Sequence, residues 1–158
     1  MKKILILSAA LFISTNQAFA INATANAKVV TPITISQTTG LNFGSFASSS
    51  SSGTINQAGT VTGGVTAVTP TAARTAGVFA VAGEVVVNTA YNFTLPSTAT
   101  LNSGGNSMTA TLSFASGTAS RTFDGAGTET VTVNGVLAVG ANQVAGDYSG
   151  TYTVTVAY

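Results

Sequence analysis

From residue 21 to residue 36 the chain alternates without a break. The odd positions read Ile21, Ala23, Ala25, Ala27, Val29, Thr31, Ile33 and Ile35, and the even ones Asn22, Thr24, Asn26, Lys28, Val30, Pro32, Thr34 and Ser36. A period of two puts each set on its own face of an extended backbone, the pattern of a half-buried β-strand. The rhythm returns over residues 85–95, where Val85, Val87, Tyr91, Phe93 and Leu95 share a face, and again at Met108, Ala110, Leu112 and Phe114. It closes the chain at Tyr148, Tyr152, Val154, Val156 and Tyr158. Helical periodicity is hard to find, so the expected fold is all-β.

Turn chemistry divides these runs. Pro32 lacks a ladder N–H and marks a strand division or a sheet edge, and Pro96 ends the run before it. Five serines, Ser48 to Ser52, read as a flexible loop; Gly63-Gly64, Gly104-Gly105 and residues 102–106 read as turns, and residues 121–127 as an exposed connection. Shorter β-prone pieces fill residues 60–68 and 77–82. In VTVNGVLAV, residues 131–139, Asn134-Gly135 between β-branched arms is the strongest hairpin signal, because both residues tolerate positive φ. Some eight or nine short strands at this spacing predict an antiparallel β-sandwich or a Greek-key barrel.

Residues 1–20 have the three parts of a secretory signal: Lys2 and Lys3, an apolar run from Ile4 to Ile13, and Ala18-Phe19-Ala20 as a cleavage site. The run is far shorter than the roughly 20 residues of a membrane-spanning helix. The expected organisation is a cleaved signal over 1–20, an N-terminal alternating arm and first strand over 21–36, and a sandwich domain over 37–158. Export through the periplasm to the cell surface follows, with no transmembrane segment in the mature chain. After cleavage Lys28, Arg74 and Arg121 face Glu84, Asp124, Glu129 and Asp147, a net charge of −1 that offers nothing to a nucleic-acid backbone. Charged residues are only 6% of the chain against about a quarter in ordinary soluble domains, which favours packing against neighbours. Without cysteine, stability must come from the core, the sheets or a partner chain.

Histidine, cysteine and tryptophan are all absent, which removes the common nucleophile systems and ordinary zinc sites. No catalytic, cofactor-binding or metal residue is expected, and the chain reads as a non-enzyme. Lys28 is the only mature lysine and fits a solvated strand position; Asp124 and Glu129 in DGAGTE fit loop charges better than a calcium or acid–base pair. The sequons at Asn22 and Asn92 fall inside strand patterns and read as chance matches.

The two ends carry the functional expectation. An alternating arm can complete another molecule's sheet, because a sheet edge offers unpaired N–H and C=O groups while alternate side chains fill its pockets. Ile21, Ala23, Ala25, Ala27 and Val29 are the donor-strand candidates. The ending GDYSGTYTVTVAY resembles that of chaperone-usher pilins, with Gly146 twelve residues before the aromatic Tyr158, although those pilins place the aromatic next to last and many carry a cysteine pair. ATANAKVVTPITISQTTGLNFGSF, FAVAGE, YNFTLP and VLAVGANQ extend a second likeness over nearly the whole mature chain, to the secreted bacterial family called domain of unknown function 4402.

These resemblances imply an immunoglobulin-like, pilin-like sandwich completed by a donated strand. Gly146, Tyr152, Val154, Val156 and Tyr158 would form its C-terminal strand and groove. Neighbouring copies or related subunits, a periplasmic chaperone and an outer-membrane usher would be its partners, and a pilus- or fimbria-like fibre its product. The competing expectations are a self-contained surface adhesin or binding module, whose arm pairs within its own chain, and an outer-membrane barrel.

Overall fold

Residues 19–69 and 73–158 are described by the computed structural model, and their regular structure consists entirely of antiparallel strands. In chain order these are β1 (Thr34–Thr39), β2 (Phe46–Asn56), β3 (Val61–Ala67), β4 (Gly77–Ala82), β5 (Ala90–Thr94), β6 (Thr98–Ser103), β7 (Asn106–Phe114), β8 (Ser120–Thr122), β9 (Thr128–Val139) and β10 (Thr155–Ala157). A seven-stranded sheet holds β1-β4-β9-β2-β3 together with β7 and β6, and a second sheet runs β10-β5-β8. The two form a sandwich-like arrangement. The basic start and apolar run of the expected signal lie outside the described residues.

The large sheet is organised by β9. Along one edge it pairs with β4 over its first half and with β2 over its second. Along the other edge it pairs with β7. Val131, Val133, Gly135, Leu137 and Val139 all point into the core. This overturns the hairpin expected at Asn134-Gly135, since the alternation passes through both residues and neither has a positive φ. The glycine is needed for space: a Cβ on Gly135 would stand 2.8 Å from the Phe43 ring and 2.9 Å from Leu41. The glycine hairpin is at Gly104-Gly105 instead, where both residues have positive φ and β6 turns into β7.

The serine run is also strand rather than loop. Ser48 to Ser52 lie within β2, across an irregularity in its pairing with β3. Opposite them, Gly63 and Gly64 are strand residues and not a free turn, because a Cβ on either would stand 2.2 Å or less from a backbone carbonyl of β2. Glycine inside a strand here marks a bulge and a close backbone approach. Residues 85–88 do not extend β5: Asn88 has φ 65 and a turn leaves Val85, Val86 and Val87 exposed. Arg121, expected in a connection, lies in β8, and Phe123 beside it is buried.

Between the sheets the core is aromatic and aliphatic. Phe93 is fully buried, edge-on to Phe79 at 5.8 Å and to Phe114 at 5.6 Å. Tyr91 stacks on Phe123 at 4.5 Å. Its hydroxyl donates to Glu129, which also takes Arg121, whose guanidinium lies over the Phe114 ring. Burial first and the Glu129 carboxylate second push the Tyr91 phenol well above its ordinary range.

Candidate functional site

Ile33 and Ile35 follow the alternation and pack against the core, and Thr34 begins the ladder to β4. Upstream, residues 21–32 are exposed and join no ladder, so the strand rhythm that begins at Ile21 has no sheet of its own to satisfy it. The donor candidates therefore stand in solvent, with Val29 96% exposed.

One cluster fixes where this arm leaves the domain. Glu84, 6% exposed, stands two residues beyond the end of β4 and reaches back to the arm. Its carboxylate accepts from the Thr31 backbone N–H at 2.9 Å and from Lys28 Nζ at 3.1 Å. The Tyr158 hydroxyl donates to the Thr31 carbonyl at 2.7 Å and accepts from the Glu84 N–H at 2.7 Å. The Thr31 N–H, and after it the Lys28 ammonium, hold the Glu84 carboxyl below its usual range. Lys28, read from the sequence as a solvated strand position, keeps an exposed side chain and anchors the arm through Glu84. Glu84 carried no sequence signal, because only the β1–β4 pairing brings it to a residue 56 positions earlier.

The C-terminal segment borders the same region. Tyr152, Val154 and Val156 are half-buried against the core, and Tyr152 meets Phe79 edge-on at 6.3 Å. The Tyr152 hydroxyl is buried with no hydrogen-bond partner, and that burial raises its pKa. The expected long final strand is short: only Thr155–Ala157 pairs, with β5, after an isolated bridge from Ser149 to Asn102. Gly146 does not join this strand. It sits at the opposite end of the domain, against Ser103, where residues 41–48 and 143–150 border an open groove of about 740 Å³.

β1 uses one edge for β4 and β10 uses one edge for β5. Their other edges lie beside each other, within 8 Å at the closest Cα atoms, without a ladder between them among the described residues. Ile33 and Ile35 flank this seam on one side and Tyr152, Val154 and Val156 on the other. The structure thus assembles the C-terminal candidates other than Gly146 along this seam and leaves the donor candidates outside it.

Asp124 and Glu129 do not face each other as a pair. Asp124 caps its own turn through the Ala126 N–H, and Glu129 is held by Arg121 and Tyr91. No described helix is long and apolar enough to cross a membrane.

Comparison with curated proteins returns no match, and neither does comparison with solved structures. A family model does match, that of the domain of unknown function DUF4402, over residues 33–158. The match begins where the exposed arm ends and takes in both borders of the seam, and the chain belongs to the DUF4402 family.

Proposed function

We propose that this chain is a non-enzymatic structural subunit of a pilus- or fimbria-like cell-surface fibre, exported by a cleaved N-terminal signal and polymerised by β-strand donation. One observation carries the reading: an alternating arm with no ladder of its own occurs in the same chain as a seam whose two borders have unpaired edges. A neighbour's arm inserted in the seam would give both borders their missing hydrogen bonds and cover their half-buried side chains. An intervening strand needs twice the ladder spacing, about 9.6 Å between β1 and β10, so acceptance widens a seam that is narrower before assembly. The small side chains of Ala23, Ala25 and Ala27 suit such a cleft.

The test is a charge in the arm. Ala25→Asp, expressed with its own leader, should be exported at the normal level yet form no fibres by negative-stain electron microscopy. Fibres of normal length from that variant refute donation. A chain lacking residues 21–29 should accept a strand from the intact protein and donate none, capping fibres in mixtures. A stable, cooperative monomer whose arm amides resist exchange would also refute it.

A further inference from the structure

The arm is barely longer than the seam it would fill, and a distinct exposed surface lies at each end of that seam. Lys28 and Thr31 are tied to Glu84, so only residues 21–27 extend freely. Seven extended residues span about 23 Å, and the six residues of β1 that border the seam span about 20 Å, at ~3.3 Å each. An arm that fills the seam therefore has only about one residue to spare, and donor and acceptor bodies must touch.

The surfaces that would touch follow from strand direction. The arm leaves where β1 begins, and Tyr158 ends the C-terminal segment there. At this arm end Val85, Val86 and Val87 are 60%, 47% and 59% exposed, next to Val29 and Val30 through the Glu84 contacts. The turn with Gly125 and Gly127 packs beside them, leaving Val87 and Val85 within 3.3 Å of a Cβ placed there. Five exposed valines in a chain with so few charges are an unpartnered apolar face. At the far end of β1 lies the groove of about 740 Å³, with Leu41, Phe43, Phe46, Leu101, Met108 and Tyr148 in its wall.

Resting on the strand-donation reading, we infer that the valine face of one copy docks in the far-end groove of the next, making a head-to-tail interface that continues the donated strand. An arm entering from the far end runs antiparallel to β10 and parallel to β1, and it brings its own valine face against the acceptor's groove. Entry from the arm end would instead bring two valine faces together and close a two-fold dimer, whereas a head-to-tail contact propagates. Val29, lying between the two anchored residues, belongs to this face and not to the inserted strand.

Because the chain has no cysteine, a cross-link reports the geometry directly. Val86→Cys with Val144→Cys, the latter on the exposed rim of the groove, should give a ladder of covalent multimers on mild oxidation of assembled protein. Either cysteine alone should give no ladder. Val86→Asp should slow assembly at least tenfold while leaving export unchanged. Dimers from Val86→Cys alone would overturn the inference in favour of face-to-face packing. Fibres that still depend on Ala25 but show no Val86–Val144 cross-link, or that assemble normally with Val86→Asp, would overturn it and leave donation standing. Absence of any fibre from the unmodified chain would overturn both. Multimers that cross-link equally when Thr62→Cys, on the exposed face of β3, replaces Val144→Cys would show non-specific association and refute it as well.

Discussion

Asn134→Val separates two structures of the same nine residues by the sign of its effect. In a two-residue hairpin Asn134 would sit at positive φ, where a β-branched side chain is strained by about 1–2 kcal/mol. In the structure it is an ordinary position of β9, opposite Ser113 of β7, half-exposed on the face away from the core. Valine there gains strand preference on a scale that spans about 1 kcal/mol, with no core contact to disturb. The expected change is neutral to about 1 kcal/mol stabilising, or up to about 4 °C in Tm for a domain of this size. Urea and thermal unfolding of the mature chain, followed by far-ultraviolet circular dichroism at one fixed protein concentration, would measure it. A loss above about 1 kcal/mol would show that β9 is not continuous and that the placement of β4 and β2 on its edge is wrong.

Three further outcomes follow from the packing and the arm anchor. Phe93→Ala should destabilise by about 3–5 kcal/mol in urea unfolding, since a fully buried ring with two edge-on aromatic partners leaves a cavity; a change below 1 kcal/mol contradicts that core. Tyr158→Phe should speed hydrogen exchange at the Glu84 amide roughly tenfold by removing its acceptor, and an unchanged rate would mean that the hydroxyl does not hold the arm's base. The Glu84 carboxyl has its folded pKa depressed below the ordinary 4.5, so its hold on the arm is complete above pH 4.5 and is lost as pH falls through the lowered value. A fluorophore on the arm should therefore keep its neutral-pH anisotropy at pH 5 and gain mobility only in stronger acid, and release near neutrality would refute the assignment.

How far the sequence disclosed this structure depended on whether a residue's role was local. Period-two runs buried on one side were legible: Met108, Ala110 and Leu112 point inward, as do Tyr91 and Phe93. The glycines and serines were not, since glycine serves both a turn and a crowded strand. At Gly104-Gly105 backbone conformation decides, whereas at Gly135 the deciding fact is the ring of Phe43, some ninety residues earlier. Tertiary context overrode turn chemistry in one case and agreed with it in the other. The short strand β6 escaped notice because only Ala99 among its residues is buried. In the site, the two alternating ends were visible as patterns. The cluster that anchors them was invisible, because Lys28, Thr31, Glu84 and Tyr158 meet only after β1 and β4 have paired.

A chain with so little charge needs its sheet edges protected, and the distribution of protection supports the acceptor role proposed for the seam. The outer strand β3 is kinked at Gly63, whose φ is 61, and its pairing with β2 is interrupted, so it makes a poor template. The short β8 has three residues. On β6 the free edge is met by Ser149, and the Thr100 carbonyl lies 2.0 Å from the Cβ position of Gly150, leaving no room there for another chain. β1 and β10 remain, and theirs are the free edges that lie side by side. Either alone would recruit strands indiscriminately and promote aggregation. Facing each other, they demand a strand that satisfies both at once and fits between isoleucines and valines, a condition met by an extended segment with small residues at every second position. Residues 21–27 meet that condition, and their anchored base keeps them directed out of the domain that carries them.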